Sequence, residues 1–267
     1  MPGPTSPILV TGGTGTLGRH VVTLLNDAGY LVRVLSRRPH SDTDAVRYVT
    51  GDLATGEGVD AAAAGVNTIV HCAGGATGDD RKTANLLRAA SRHGATHLVF
   101  ISVVGVDRIP VSSRVDRTMF GYFAAKRAAE RVVTESDVPW TILRATQFYE
   151  LILRVVRALT TLPVVPVPAG FRFQPIDSRD VAARMVELAL GEPAGVAPDM
   201  AGPQVYPATD LILSYLHATG RRRRLVSIPL PGAAARAIRD GTILAPDHAV
   251  GTRTWEDFLA ETLSARR

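Results

Sequence analysis

Thr11-Gly-Gly-Thr-Gly-Thr-Leu-Gly18 decides how this 267-residue chain is read. A short apolar run over residues 8–11 precedes it, and a helical pattern over 16–28, ended by Gly29, follows it. Two glycine spacings are satisfied at once, Gly12-x-x-Gly15-x-x-Gly18 and Gly13-x-Gly15-x-x-Gly18. Such a loop makes a tight turn, leaves the backbone bare and lets the helix pack closely on the strand. The helix start then offers free N–H groups and a positive dipole end, which suits a pyrophosphate. Thr14, Thr16 and Leu17 fill the positions between the glycines. A lone glycine match is weak, but strand, loop, helix and next strand in this order make it strong.

Outward from the loop, apolar runs at 31–35, 46–49, 67–72, 97–102 and 140–144 read as further strands. Helical patterns at 81–93, ended by Gly94, and at about 119–136 separate the later ones. Short buried strands joined by helices need right-handed crossovers, which build a doubly wound parallel sheet. The predicted class is therefore α/β, a Rossmann-type doubly wound parallel sheet with a small C-terminal substrate-binding annex. Residues 1–150 form the expected nucleotide-binding core and 151–267 the covering region, with helix 178–190 packed back on the core. Past residue 144 the pattern predicts a helix over 148–159 and a Pro-rich stretch, 162–168. Next come a Ser178-capped helix over 179–190, a Thr209-capped helix ended by Gly220, a strand at 225–229 and a last helix from about Thr254.

Composition narrows the classes of function. The chain is 46% hydrophobic and 21% charged, enough for a buried core, and its 6% aromatic content argues against a stacking platform for single-stranded nucleic acid. One cysteine, Cys72, excludes a disulfide framework and argues against structural zinc. The longest apolar stretch, 151–167, is broken by Arg154, Arg157 and prolines, and the start of the chain has no charged and apolar leader pattern. The expectation is a cytoplasmic protein with a small-molecule substrate, binding neither nucleic acid nor membrane, and either monomer or homodimer. Of the thirty basic residues only Lys82 and Lys126 are lysine. Where arginine is the default, a lysine marks a position that needs a compact ammonium. Arg221-Arg-Arg-Arg224 has no interleaved aromatics and reads as a solvated turn.

The end of the second strand selects the cofactor. An NAD site places a carboxylate there for the ribose hydroxyls. This chain has Ser36-Arg37-Arg38 instead, and two guanidiniums with a hydroxyl suit the 2′-phosphate of NADP(H), with NAD(H) a lesser option. Asp52, in Gly51-Asp-Leu53, is placed to accept from an adenine amino group, or simply closes a turn.

Val10-Thr-Gly-Gly-Thr-Gly-Thr-Leu-Gly18, Gly51-Asp-Leu53 and Tyr122-Phe-Ala-Ala-Lys126 resemble the short-chain dehydrogenase/reductase superfamily. Trp140-Thr-Ile-Leu-Arg-Ala-Thr-Gln-Phe148 and Phe173-Gln-Pro-Ile-Asp-Ser-Arg-Asp-Val181 resemble its atypical, NmrA-like branch, which includes NAD(P)-binding sensors and small-molecule reductases. The likeness runs over roughly residues 7–190. It implies that Gly12, Gly15 and Gly18 hold the pyrophosphate, Arg37 the adenosine phosphate, and Asp52 and Leu53 the adenine pocket. It implies too that Cys72, Ala73 and Gly74 run under the cofactor, Ser102 ends a strand beside the nicotinamide, and Tyr122 and Lys126 are the Tyr-x-x-x-Lys pair.

The pair also makes sense on chemistry alone. Residues i and i+4 share a helical face. A free phenol titrates near pH 10, and an adjacent ammonium should lower it. Tyr122 would then protonate a carbonyl oxygen while the cofactor gives hydride, with Lys126 also holding the nicotinamide ribose. One departure stands against this. Active members usually carry a hydroxyl just beyond this strand, where the chain reads Val103-Val104-Gly105. Losing such a donor reduces rates on the order of 10²–10³-fold, unless Ser112 or Ser113 substitutes. Gln147, Phe148 and Tyr149 follow the sixth strand and are expected to line the substrate pocket. A reductase of a small, fairly apolar carbonyl, enone or quinone-type molecule and a cofactor-sensing regulatory protein both remain open.

Overall fold

The computed structural model describes residues 6–75 and 77–264. Strand β1 (Ile8–Thr11) is buried along its whole length, and α1 (Thr16–Asp27) follows the glycine loop. On α1, Leu17, Gly18, Val21 and Leu25 are buried, a four-residue rhythm that gives the helix one apolar face. Gly29, at φ 82°, turns the chain out of it. Then come β2 (Val32–Ser36), β3 (Val46–Thr50), a short α2 (Val59–Ala63), β4 (Thr68–His71) and α3 (Asp79–Arg92). β5 (His97–Val103) is buried throughout, and α4 (Arg114–Thr134) departs from helical geometry at Phe120 (φ −129°, ψ 17°). β6 (Trp140–Ala145), α5 (Tyr149–Leu159), β7 (Val164–Pro168), β8 (Arg172–Phe173) and α6 (Ser178–Leu190) follow. The remainder is β9 (Gly195–Val196), β10 (Tyr206–Pro207), α7 (Ala208–Ala218), β11 (Arg224–Ile228), α8 (Ala233–Arg239) and α9 (Trp255–Ser264).

Seven strands form a parallel sheet in the order β3-β2-β1-β4-β5-β6-β9. This is the doubly wound arrangement, with its reversal between β1 and β4, beside the glycine loop. Thr11 at the end of β1 registers with Leu35 on one side and His71 on the other, so three strand ends converge there.

The chain divides into two compact units, and not by one cut at residue 150. The first unit holds 1–102, 121–144 and 181–198, and the second holds 103–120, 145–180 and 199–267. The break inside α4 falls at the kinked Phe120. Leu9, Ile69, Leu86, Leu98, Phe100 and Ile142 centre the core of the first unit, and all are fully buried. In the second unit, Tyr149, Trp255 and Phe258 stack with ring centroids 5.2–5.8 Å apart, and the Trp255 indole donates to the Leu211 carbonyl.

The structure corrects several boundaries. The Pro-rich stretch is a strand, β7, paired in parallel with β11. Ala169 N–H bonds Ile228 O, so by two-residue alternation the N–H groups at 167 and 165 face β11. The prolines at 166 and 168 then face away, where a missing donor does no harm. α6 is capped by Asp177, whose carboxylate accepts from Arg179 N–H at 2.8 Å. The Ser178 hydroxyl instead donates to Glu150. α7 starts at Ala208 without a side-chain cap from Thr209. α9 does begin as its sequence suggests, with Thr254 and Asp257 exchanging hydrogen bonds in a capping box. α3 begins at Asp79, two residues before the pattern predicts, which matters for the site.

Leu24 and Leu25 are sequence neighbours on α1 with contrasting burial, 36% and 0% exposed. Leu25→Ala is expected to lower stability by about 3 kcal/mol, and Leu24→Ala by less than about 1 kcal/mol. Urea denaturation of the two variants checks this.

Candidate functional site

The loop between β1 and α1 is built where side chains cannot fit. Gly12 has φ 71°, and a Cβ on it would lie 2.6 Å from Ala73 N and 2.8 Å from the Cys72 carbonyl carbon. A Cβ on Gly18 would lie 2.1 Å from Gly12 O. Gly15 N–H closes the turn on Gly12 O at 2.9 Å. The first helical turn therefore rests directly on the loop. No side chain caps α1 and no acidic residue lies in its first turn, so its positive end is left for an anion. Thr14 and Gly15 are exposed at the crest, Thr16 is half-buried and Leu17 is buried. The bare cradle fits the pyrophosphate of a dinucleotide.

At the end of β2, Ser36 is nearly buried, and its Oγ accepts from Arg38 N–H at 3.2 Å. Arg37 and Arg38 are exposed, and no ion pair with a described residue engages either. The nearest following acid, Asp42, is already bound by Arg47 and by Tyr48 N–H. Asp52 accepts from Ala54 N–H at 2.8 Å and so closes a turn with one oxygen. Leu53 packs in the core, and its carbonyl accepts from Asn85.

Beyond β4 the chain Cys72-Ala73-Gly74 passes beside the loop. His71 is buried between the hydroxyls of Thr11 and Thr83, at 2.6 and 3.2 Å. Burial, helped by the charges of Lys126 and Lys82, pushes its imidazole down to about 3, so it is neutral. Burial pushes the Cys72 thiol up to about 12 against the pull of Lys126, so it is no nucleophile.

Lys126 is 3% exposed. Its ammonium donates to Ile101 O at 3.3 Å, sits 4.8 Å from the Phe100 ring centroid and pairs with Asp79 Oδ2 at 3.4 Å. A Cβ on Gly74 would lie 2.9 Å from Lys126 Nζ, so the glycine lets the ammonium lie close beneath the backbone. Burial draws the lysine below its usual range, and the Asp79 carboxylate opposes that.

Tyr122 departs from expectation. Although 40% of its surface is exposed, burial pushes its phenol up to about 12, with the Asp79 charge as the second cause. The lowering that an adjacent ammonium should give is absent. The sequence reading missed Asp79. Its signal was the acidic start of α3, on the turn below Lys82.

Ser102 lies at the end of β5, 4% exposed, and its Oγ has no hydrogen-bond partner among the described residues. An orphaned buried hydroxyl carries a penalty of about 1–3 kcal/mol. Val103 and Val104 are buried. Ser113 cannot substitute freely, because its hydroxyl donates to Asp116 at 2.7 Å in the box that starts α4. In the second unit, Gln147 and Phe148 are half-buried, and both side-chain polar atoms of Gln147 are buried without a partner. Tyr149 does not line a pocket as the sequence suggested. It is fully buried in the aromatic stack, and its hydroxyl donates to Arg253 O at 2.6 Å. Among the described residues no cluster of metal-ligating side chains occurs, and no helix is long and apolar enough to cross a membrane.

The NAD(P)H-binding family model matches residues 12–191. The (4-alkanoyl-5-oxo-2,5-dihydrofuran-3-yl)methyl phosphate reductase of Streptomyces griseus is 31% identical, over 85% of this chain and 78% of that protein. The ceramide reductase of Caulobacter vibrioides is also 31% identical, over 84% of this chain and 74% of that protein. A short-chain dehydrogenase/reductase superfamily protein of Agrobacterium tumefaciens, solved with bound NAD, has the same fold. It superposes with a TM-score of 0.73 at 21% identity and covers 97% of both chains. With a glycine cradle at the switch point of a doubly wound sheet, and a family match over two thirds of its length, this chain belongs to the NAD(P)H-binding family.

Proposed function

We propose that this chain is an NADPH-dependent reductase of a small, fairly apolar molecule carrying a carbonyl, enone or quinone-type acceptor. The observation that carries this reading is Lys126. A fully enclosed ammonium lies under Gly74, in the stretch that runs beside the glycine cradle, on the same helix as Tyr122. Two relatives named as reductases, one of a (4-alkanoyl-5-oxo-2,5-dihydrofuran-3-yl)methyl phosphate and one of ceramide, support the reaction class.

When bound, the reduced nicotinamide supplies hydride. Gly12, Gly15 and Gly18 with the start of α1 would hold the pyrophosphate, and Arg37 and Arg38 the 2′-phosphate. Lys126 would hold the ribose. Tyr122 gives its proton to the substrate oxygen as the carbon accepts hydride, and water returns the proton. Ser102, with a hydroxyl free to donate, orients the acceptor.

A second reading is favoured by one observation. The strand end beyond Ser102 carries two buried valines where a second hydroxyl would serve the oxyanion. A protein that binds the cofactor and reports it through a partner, with little turnover, needs no such donor.

Turnover separates the two. With NADPH and a panel of quinones, enones and ketones, the wild type should consume cofactor. Tyr122→Phe should lose about 10²–10⁴-fold in kcat while keeping its affinity for NADPH. Tight NADPH binding without turnover on any acceptor would favour the sensor. For cofactor choice, Arg37→Ala should weaken NADPH roughly tenfold and leave NADH unchanged, read by fluorescence titration. Equal losses for both would refute the phosphate assignment.

A further inference from the structure

The run Arg221-Arg-Arg-Arg224 reads from sequence as a solvated turn, yet it shapes a cavity. Arg222, Arg223 and Arg224, with Thr161 and Pro163, line an open cavity of about 520 Å³ in the second unit. All four arginines are exposed, and none makes an ion pair with a described residue. The three that line the cavity are not equivalent. Arg223 is pinned just past α5: its Nε donates to Thr160 O at 3.2 Å, and a terminal nitrogen donates to Arg222 O at 2.9 Å. The guanidiniums of Arg222 and Arg224 donate to no described residue. The Thr161 hydroxyl is already given to Ala158 O at 2.7 Å, so the free charged donors of this cavity are guanidinium groups.

β11 starts at Arg224, so the cavity adjoins the β7–β11 pair. Arg224 registers with Val164, Val226 with Pro166 and Ile228 with Pro168. Partners in register share a face, and successive residues alternate between faces. Val165 and Val167 are buried, so their face packs inward. The opposite face carries Val164, Val226 and Ile228, all exposed, and the two half-buried prolines, with Arg224 at its cavity end.

We propose that this cavity is a second ligand site, which holds the phosphoryl group of a small amphipathic phosphate monoester on Arg222, Arg223 and Arg224 while the apolar part of that ligand lies along the outward face of β7 and β11.

Charge selects the head group. Adjacent guanidiniums without a carboxylate repel one another, and a bound anion removes that cost. A carboxylate brings one charge and two oxygens, enough for one guanidinium fork. A phosphate monoester brings nearly two charges above neutral pH and three terminal oxygens, so it can engage one pinned guanidinium and two free ones. Pinning Arg223 also reduces the side-chain freedom lost on binding. The apolar face selects the remainder of the ligand. Covering Val164, Val226 and Ile228 removes apolar surface from water, which an inorganic anion cannot do. The cavity volume lies in the range of small-molecule sites.

The test is isothermal titration calorimetry of the full chain at about pH 8, where the monoester is a dianion, with hexyl phosphate, inorganic phosphate and hexanoate as probes. Hexyl phosphate should bind about tenfold tighter or more than either of the others. Arg222→Gln/Arg224→Gln should weaken it about tenfold or more. Arg114→Gln/Arg117→Gln, which removes the same charge from exposed positions of the same unit, should leave it unchanged. Val226→Ser/Ile228→Ser should reduce hexyl phosphate to the affinity of inorganic phosphate. All these positions are exposed, so the variants should melt with the wild type. No heat with hexyl phosphate, equal losses in the two arginine variants, or equal affinity for hexyl phosphate and either other probe would overturn the proposal. Sedimentation of the wild type with vesicles of phosphatidic acid in phosphatidylcholine, without binding of soluble hexyl phosphate, would assign the arginines to a membrane surface and overturn it too. The titration needs neither cofactor nor turnover, so its outcome is separate from that of the proposed reduction.

Discussion

The carbonyl of Gly12 sits where a side chain on Gly18 would be, and the first unit is organised around that close approach. Because the helix start and the strand end share one small volume, α1 rests its amino terminus over the middle of the sheet. Gly12 in turn touches the backbone at Cys72 and Ala73, which locks the loop to the chain leaving β4. The sheet reverses its order between these two strands, so the crevice opens beside the exposed N–H groups of the cradle. A methyl group at either glycine would separate elements that must touch, and the phosphate-holding geometry would be lost before any chemistry began.

The same chain continues from Ala73 through Gly74 to Asp79, and there the packing problem becomes an electrostatic one. An ammonium buried to 3% is unfavourable unless a charge of opposite sign accompanies it. Asp79 is that charge, and its own burial explains why a second lysine and a backbone N–H converge on it. Burial, and after it the Asp79 charge, hold the Tyr122 phenol above its ordinary range.

The sheet was legible because its strands are apolar runs and its loop is a pattern of absent side chains, and both leave direct marks in sequence. The glycine loop could be read in the same way, since it depends on local spacing. Two things could not. The start of α3 at Asp79 was hidden because Gly78 and the acidic pair Asp79-Asp80 read as loop, whereas burial against Lys126 and Gly75 makes Asp79 the first helical residue. Tyr149 read as a pocket residue because it follows a strand end. Its neighbours in space, Trp255 and Phe258, lie more than a hundred residues away, and no local pattern reveals them. The interleaving of the two units escaped for a like reason, since a kink at Phe120 leaves no trace in helical periodicity.

The donor inventory at the end of β5 bears on what this site can reduce. Ser102 offers one buried, unpartnered hydroxyl, Val103 and Val104 offer none, and Ser113 is bound to Asp116. On the proposed reading, the end of β5 then gives an incoming oxygen at most one donor in addition to Tyr122. An unactivated ketone concentrates developing charge on one oxygen and loses most from a missing donor. A quinone or enone spreads that charge over a conjugated system and asks less of the protein at any single atom. On that reading such acceptors suit this site better than simple ketones, and Tyr122 would supply the proton as the hydride arrives.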